Sequence, residues 1–370
     1  MKQVFLKIVA LIITLFSIFS CNSSKHKTSS SDRIIGVKIY NYSGDYNLLK
    51  EEWKDIGINT VFCSIDLFSN EGFRSFLKEN KLRSFIITPV FFDPDALQMD
   101  SSLFAITKSG ENAKDDWVEF VCPSRKDFRK QKIEKITKLV EELDPDGISI
   151  DFIRHFVFWE MLTPYIAAED LPNSCFDSLC LTQFQLSIDI KLPESISLPA
   201  ESAKWIEENY LEEWVDWKCN LITSMINKIV VEVKKIKPGI KINTHIVPWR
   251  HNDYNNAIRK VAGQDVTEIA KYTDYLSPMT YSHMVKRGPE WVHSVVEDLH
   301  MQSNSKILPS IQVNKAYLNT PLELDEFRKN LEEALKPPSV GVVFWSWEQL
   351  DNYPEKKEII KSVFRKSEFF

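Results

Sequence analysis

The stretch DPDGISIDFIRHF, residues 144–156, decides the fold because it joins a turn to a short β-rich run that ends in an acid. Two aspartates, a proline and a glycine give the turn signal, and the alternating run extends from Gly147 to Asp151. Side chains alternate along a strand, so Gly147, Ser149 and Asp151 share one face while two isoleucines share the other. We therefore predict a buried strand that presents the Asp151 carboxylate at its end.

Seven similar β-rich runs occur elsewhere in the chain, and helical patterns separate them. They lie at residues 33–40, 59–66, 82–92, 240–248, 274–281, 306–313 and 341–347. Eight strands alternating with helices indicate an α/β protein with a parallel sheet, and we predict a single (β/α)8 TIM barrel. An open doubly wound sheet is the alternative, but no glycine-rich phosphate loop follows the first run.

Two helical patterns are clear enough to give bounds. One covers residues 125–143, with Ser124 and Asp127 expected as a capping pair, and the other covers residues 214–236. Two connections are long, at residues 93–122 after the third strand and 155–213 after the fourth. In a barrel both leave the C-terminal face, where active sites are built, so we expect them to form substrate walls.

The first 32 residues differ from the rest of the chain. Residues 1–21 start with a basic segment, continue with an apolar run too short to span a membrane comfortably, and end at Cys21 after a serine. This pattern resembles a bacterial lipobox, which implies a signal peptide and lipid attachment at Cys21; an ordinary secreted protein is the alternative. Residues 22–32 are polar and predict a tether, and residues 33–370 are assigned to the barrel, with an insertion at 156–212.

Composition limits the partners of the chain and the compartment in which it acts. The formal net charge is −6 and no basic stripe is present, so nucleic acid is not expected as a partner. Lipid attachment would place the protein in the bacterial cell envelope, anchored to a membrane on the periplasmic side or at the cell surface. Five cysteines remain besides Cys21. Cys175 and Cys180 are close enough in sequence to pair, whereas Cys63 lies in an apolar run and is expected to be a buried thiol.

The stretch from Trp117 to Phe156 resembles the glycoside-hydrolase-like (β/α)8 barrel families. Their pattern is a Cys-Pro turn, a helix, and then Asp-Gly-x-x-x-Asp-x-x-Arg. It is matched by Cys122-Pro123, Asp146-Gly147, Asp151 and Arg154. SCFDSLCLTQF (residues 174–184) resembles an insertion with two cysteines that some members carry, and SPMTYS and GVVFWSWE add support. The resemblance implies a glycoside hydrolase that cleaves glycosidic bonds of a poly- or oligosaccharide and needs no cofactor.

Comparison with better-known barrels narrows the mechanism. The strand-four pattern of family 18 chitinases carries acids where this chain has Ser149 and Ile153, so their substrate-assisted mechanism is not supported. The alpha-amylase-type superfamily places a nucleophilic Asp at the end of strand four, with a basic residue three or four positions later. Asp151, followed by Arg154 and His155, is similar to that arrangement, which implies that Asp151 is the nucleophile or base.

A glycosidase needs a second carboxyl group. Glu348 follows the last β-rich run, and two neighbouring tryptophans would favour its protonated form, so we prefer it as the catalytic acid. Asp66, Asp93 and Glu160 are the other candidates for this role.

Candidate substrate-binding residues lie at the predicted strand ends. They are Arg154, His155, Trp249, Tyr281, Gln312 and Trp347. Aromatic rings pack against the C–H groups of sugars, and the polar side chains would bind hydroxyls or orient Asp151. Histidines 245, 251 and 283 fall near strands five and six, but no His-x-His ends the first strand, and we predict no metal site.

A second functional class stays open at this point. The missing chitinase acids, and the lack of an acid at the end of strand five, are also compatible with a non-catalytic glycan-binding lipoprotein on a hydrolase-like barrel. The position of a second carboxyl group relative to Asp151 distinguishes the two.

Overall fold

The computed structural model describes residues 33–367, and eight of its strands form one parallel sheet curled into a barrel. They are β1 (Ile34–Ile39), β2 (Thr60–Cys63), β3 (Arg83–Pro89), β4 (Gly147–Asp151), β5 (Lys241–Ile246), β6 (Tyr275–Pro278), β7 (Ser310–Gln312) and β8 (Gly341–Trp345). Neighbouring strands pair in the order β6-β5-β4-β3-β2-β1-β8-β7. Parallel bridges from Leu276 to Ile307 and from Met279 to Ser310 join the two ends, so the predicted (β/α)8 barrel is confirmed.

Helices connect successive strands and surround the barrel. They are α1 (Tyr46–Ile56), α2 (Ile65–Ser69), α3 (Glu71–Glu79), α4 (Pro94–Met99), α5 (Lys126–Leu143), α6 (Ser178–Ile188), α7 (Pro199–Asn209), α8 (Leu211–Ile236), α9 (Ala257–Lys260), α10 (Val266–Ala270), α11 (Glu290–Ser303), α12 (Leu324–Ala334), α13 (Trp347–Leu350) and α14 (Pro354–Ser367). The two predicted helices correspond to α5 and α8. Among the helices of residues 33–367, none combines the length and the apolar character that crossing a membrane requires.

The signal peptide predicted at residues 1–21 and the tether predicted at residues 22–32 lie outside the described residues.

The lower half of the barrel interior is apolar and filled. Phe62 and Phe85 stack with ring centroids 4.8 Å apart, and Leu308 and Val343 pack in the same buried cluster. A Cβ at Gly147 would lie 2.3 Å from the Phe85 ring, so the glycine of the opening stretch is required there by this close approach. This apolar cluster occupies the lower part of the interior, so polar side chains inside the barrel meet a ligand at its upper end.

The two long connections pack together along one side of the C-terminal face. Residues 155–213 contain α6, α7 and two 3₁₀ turns, Trp159–Met161 and Ala168–Asp170. An antiparallel bridge pairs Thr107 of the first connection with Ser174 of the second, and Phe176 N–H donates to the carbonyl of Ile106 at 2.9 Å. The two connections therefore form one continuous wall.

The start of α5 differs from the prediction. Its N-cap is Arg125, without a side-chain capping bond, so the predicted Ser124–Asp127 capping pair is wrong. Ser124 Oγ instead lies 3.1 Å from Cys122 Sγ and 3.0 Å from Cys180 Sγ. Cys175 and Cys180 are free thiols, and Cys63 is a buried thiol as predicted. The Ser124 hydroxyl therefore contacts the two cysteines and does not cap α5.

Candidate active site

The Asp151 carboxylate ends β4 at the upper end of the barrel interior, as the alternation predicts. Its Oδ1 accepts a 2.7 Å hydrogen bond from the backbone N–H of Phe152. Phe152 has φ +47°, a conformation that is strained for an aromatic residue, and its ring stacks on Phe92 at 4.7 Å. The sharp turn after the strand therefore fixes the carboxylate above the barrel and directs the chain outward.

Polar side chains from β1, β4 and β5 form a buried network below Asp151. Lys38 Nζ lies 3.4 Å from His245 Nδ1 and donates to Tyr281 Oη at 3.2 Å. His245 Nε2 lies 2.8 Å from Ser149 Oγ, and its Nδ1 lies 4.0 Å from Asp151 Oδ1. Asn243 also donates to Ser149 Oγ at 2.8 Å. The network places Asp151 above side chains from two other strands, β1 and β5, and from Tyr281 just after β6.

The network fixes the protonation of His245. Burial lowers the pKa of His245 to about 4, so the ring is neutral at pH 7. Because an ammonium group only donates hydrogen bonds, Nδ1 is assigned as the acceptor from Lys38 and Nε2 as the donor to Ser149. Burial also lowers the pKa of Lys38 to about 8, against the attraction of Asp151. Lys38 thus places a buried positive charge beside the carboxylate at neutral pH.

Glu160 is the second acid that the structure brings to this region. It belongs to the 3₁₀ turn Trp159–Met161 and is buried, and its Oε2 has no hydrogen-bond partner among residues 33–367. Burial raises the pKa of Glu160 to about 7; Arg154 opposes this rise, and Asp151 adds to it. A carboxyl group that stays protonated near neutral pH, within electrostatic range of another acid, is suited to donate a proton.

Arg154 lies within electrostatic range of both acids. Burial lowers the pKa of its guanidinium group, while Glu160 and then Asp151 act to raise it. The guanidinium carbon lies 4.7 Å from the centroid of the Phe120 ring, and Nη1 donates to the carbonyl of Val157 at 2.6 Å. The cation is therefore held rigidly, and it offsets part of the negative charge around Asp151.

Aromatic rings line this end of the barrel at two levels. Tyr281 stacks on Trp345 with centroids 4.5 Å apart, and Trp159 lies 5.9 Å from Tyr281. Farther out, Trp117 Nε1 donates to Tyr317 Oη at 2.8 Å, and both residues are 42% exposed. Tyr317 is within electrostatic range of Glu160, so this outer pair lies near that acid. The exposed pair is a surface on which a sugar ring can stack.

Glu348, the acid preferred from the sequence, lies in the first turn of α13. Its Oε1 accepts backbone N–H bonds from Tyr40 at 2.5 Å and from Asn41 at 2.9 Å. Tyr40 is within electrostatic range of both Asp151 and Glu348, so the two acids lie on the same side of the barrel end as this ring. The structure gives Glu348 a tethering contact to the loop after β1, and its catalytic role stays a prediction.

Tyr281 is the predicted binding residue that lies clearly in the network, and four others have different surroundings. His155 is buried against α8, with Nε2 3.3 Å from the carbonyl of Lys218. Trp347 is buried edge-on against Trp53 of α1, at 5.7 Å. All four of these residues are buried and contact other parts of the protein: His155, Trp249, Gln312 and Trp347.

The contacts of the other two members of this group are equally specific. Trp249 packs edge-on against Tyr254 at 5.4 Å. The Gln312 side chain accepts from Met284 N–H at 2.9 Å and donates to the carbonyl of Asn314 at 2.8 Å, so both ends of its amide are occupied. The structure brings neither of them to a surface where a hydroxyl group could bind.

Two residues of the site were not selected from the sequence. Lys38 interrupts the apolar run of β1. A charged residue inside a buried strand is unusual, and this could have identified Lys38 as a candidate site residue from the sequence. Glu160 was named only as an alternative, because its approach to Asp151 depends on the path of a long loop that no local pattern encodes.

Solved structures give the barrel a wider context. No family model matches the chain, and no curated protein matches it at a significant level. The glycoside hydrolase domain of PgaB from Bordetella bronchiseptica aligns with a TM-score of 0.67 at 13% identity, covering 90% of this chain and 98% of the other. A β-galactosidase from the psychrophilic Marinomonas ef1 aligns with a TM-score of 0.67 at 12% identity, covering 90% of this chain and 59% of the other.

An α-L-fucosidase isoenzyme from Paenibacillus thiaminolyticus also aligns, with a TM-score of 0.57 at 12% identity, covering 91% of this chain and 49% of the other. The chain thus spans about half to three fifths of the last two proteins but nearly all of the PgaB domain. At such low identity the similarity establishes the barrel fold alone, and the chemistry has to be argued from the residues.

Proposed function

We propose that this chain is a glycoside hydrolase in which Asp151 and Glu160 form the carboxyl pair. The observation that carries the proposal is the contrast between the two acids. Asp151 sits on a polar, hydrogen-bonded network, whereas Glu160 is buried with an unpaired oxygen and a pKa raised by burial to about 7. Carboxyl groups in environments this different are suited to the two roles of glycoside hydrolysis.

In this mechanism Glu160 donates its proton to the glycosidic oxygen as the bond to the anomeric carbon breaks. Asp151 either attacks that carbon or removes a proton from the water that attacks it. In the first route Glu160 regains its proton from the water that displaces Asp151 from the anomeric carbon. In the second route Asp151 ends with the proton of the water, and it releases this proton to solvent while Glu160 takes one from solvent. Lys38 and Arg154 stabilise the negative charge of Asp151, and the neutral His245 orients the network without competing for the proton.

The substrate class we propose is a poly- or oligosaccharide. The exposed Trp117–Tyr317 pair provides a stacking surface near Glu160, which favours a ring-shaped, C–H-rich ligand. Fold neighbours that include a β-galactosidase and an α-L-fucosidase make galactosides and fucosides reasonable first members of a test panel.

The test is hydrolysis of a panel of oligosaccharides and aryl glycosides by the full-length chain and by its Asp151→Asn variant. Release of reducing ends by the native chain, lost in the variant, is the expected result. The anomeric configuration of the first product, followed by NMR, then separates direct attack, which gives retention, from water activation, which gives inversion.

The second candidate function is glycan binding without hydrolysis, favoured by one observation. Glu160 Oε2 is buried in this conformation, which limits its contact with a bound sugar. If calorimetry detects a glycan that binds but is not cleaved, and Asp151→Asn leaves its affinity unchanged, binding is the function.

We further propose that the protein is exported and lipid-anchored through Cys21, as residues 1–32 predict. Metabolic labelling with an alkyne fatty acid tests this directly. Label on the native chain and its loss in Cys21→Ala are expected, whereas an unlabelled, released protein would contradict it.

A further inference from the structure

Three thiols and one carboxylate converge inside the wall formed by the two long connections. The cluster consists of Cys122, Cys175, Asp177 and Cys180, and one ligand atom from each lies within 4.8 Å of all the others. Cys122 Sγ lies 3.2 Å from Cys180 Sγ, and Cys175 Sγ lies 3.2 Å from Asp177 Oδ2. All three cysteines are fully buried. We refer to these four residues as the thiol cluster.

We propose that the thiol cluster binds one zinc ion as a structural Cys₃Asp site. Tetrahedral coordination with Zn–S bonds of about 2.3 Å places the sulfur atoms about 3.8 Å apart, which is within the spread of the four ligand atoms here. The sequence does not predict this site, and its ligands are far apart in the chain, since Cys122 lies more than fifty positions before the other three.

The spacing of the ligands along the chain suits such a site. Cys175, Asp177 and Cys180 come from one loop and the first turn of α6, which is a compact ligand unit. Cys122 comes from the turn before α5. The ion would therefore join the first long connection to the second at the base of the substrate wall.

Neighbouring groups donate hydrogen bonds to the ligand atoms and orient them. The backbone N–H of Ile106 donates to Cys175 Sγ at 3.1 Å, as amides do to metal-bound thiolates. Arg125 Nη2 lies 3.2 Å from Asp177 Oδ2, and Cys180 N–H donates to Asp177 Oδ1 at 2.8 Å. These contacts orient the carboxylate and hold it beside the sulfur atoms.

Charge also balances in this region. Binding releases three thiol protons to solvent, so a zinc ion with three thiolates and one carboxylate carries a net charge of about −2. Two buried cations lie within electrostatic range of the cysteines, Arg129 near Cys122 and Lys218 near Cys175. With Arg125, they supply the positive charge that a buried anionic site requires.

A disulfide between two of the cysteines is the competing explanation for the cluster, but it involves only two of the four groups. Pairing any two cysteines leaves the third thiol and the carboxylate buried together without a reason for their convergence. A single ion uses all four groups at once.

The test uses the full-length chain, purified under reducing conditions without a metal-affinity step. Elemental analysis should find about one zinc per chain. Cys122→Ser, Cys175→Ser and Cys180→Ser should each lose most of the zinc. Cys63→Ser and Cys219→Ser, which change buried thiols elsewhere, should retain it and serve as matched controls.

Zinc-free protein that takes up no added zinc would overturn the proposal, and so would zinc content unchanged in the three cluster variants. A disulfide found by mass spectrometry between any two of Cys122, Cys175 and Cys180 in protein from cells would do the same.

A measurement on the native chain covers the case in which the variants do not fold. Removing zinc with a chelator should lower the Tm by roughly 10 °C, and adding zinc should restore it. Replacing zinc with Co²⁺ should produce the thiolate-to-cobalt charge-transfer absorption of a tetrahedral thiolate site. A cobalt-treated protein without this absorption would contradict the proposal.

Discussion

Two acids follow two strands of the same barrel and have different surroundings. Glu160 lies nine residues after the end of β4 and is buried in a 3₁₀ turn. Glu348 lies three residues after the end of β8, is half-buried, and its Oε1 accepts two backbone N–H bonds from the loop after β1. The Oε2 atom of each acid has no hydrogen-bond partner among residues 33–367, so the two acids differ in burial and in the contacts of Oε1. The comparison teaches that the position of an acid at a strand end does not define its chemistry, because the groups around it decide whether it holds a loop or a proton.

Asp151→Asn removes the carboxylate at the end of β4, with which Glu160 is proposed to act. This change should have the largest effect on kcat/KM. We expect kcat/KM to fall by about 10⁴-fold or more, because neither attack on the anomeric carbon nor activation of water remains. The folded structure should persist, since the amide still accepts from Phe152 N–H.

The matched control for this change is Glu268→Gln, an exposed acid paired with Lys271 on the surface, which should leave kcat/KM unchanged. Steady-state kinetics on the best glycoside measures both variants. An Asp151→Asn variant as active as the control would contradict a catalytic role for Asp151.

Glu160→Gln against Glu348→Gln tests the two acids directly. We expect the first change to lower kcat by about 10²- to 10³-fold on natural glycosides, because a proton donor to the leaving oxygen is lost. An aryl glycoside with an acidic phenol needs little protonation, so its loss should be smaller. Glu348→Gln keeps an oxygen for Tyr40 and Asn41 N–H, and its kcat should stay within about fivefold of native.

The reverse order of the two losses, measured on the same pair of substrates, would transfer the acid role to Glu348, as the sequence predicted.

Stability should also separate the two positions. The pKa of Glu160 is raised by burial in the folded state, so ionisation destabilises the fold, and stability is lost as the pH rises from about 4.5 to about 7. Glu160→Gln removes this cost. At pH 8 the variant should gain up to about 3 kcal/mol in the free energy of unfolding, with no gain at pH 4.

Thermal unfolding of native protein, Glu160→Gln and Glu348→Gln at the two pH values measures this difference. An equal gain at both pH values would mean that the buried carboxyl group is not the cause.

The smallest effect is expected at the exposed rim beside Glu160. Trp117→Ala removes a ring on which a sugar can stack, which should weaken substrate binding by about 1 kcal/mol. KM should therefore rise by about five- to tenfold while kcat changes less than twofold. Tyr317→Phe keeps a ring but loses the hydrogen bond from Trp117 Nε1, and it should change KM by less than the tryptophan variant. A fall in kcat without a change in KM would place Trp117 outside the sugar-binding surface.

The sequence predicts the barrel and Asp151 because both depend on local alternation. Gly147, Ser149 and Asp151 share a face over five residues, and the structure keeps that pattern. Trp347 shows where this reasoning ends. Extended alternation would place it on the same face as Trp345, but β8 stops at Trp345 and α13 begins at Trp347, so its ring turns to Trp53.

Glu160 and the thiol cluster could not be predicted for a related reason. Their surroundings come from the folding of two long connections against each other, through contacts such as Thr107 with Ser174. The patterns that locate a strand or a helix extend over only a few residues and carry no information about these contacts.

The pH dependence of kcat/KM on a natural oligosaccharide, whose leaving group needs protonation, distinguishes the two acids when native protein, Glu160→Gln and Glu348→Gln are compared side by side. We expect an alkaline limb near pH 7 in the native protein, because Glu160 must be protonated, with the same limb in Glu348→Gln and its absence in Glu160→Gln. A limb that persists in Glu160→Gln and disappears in Glu348→Gln would contradict the acid role of Glu160.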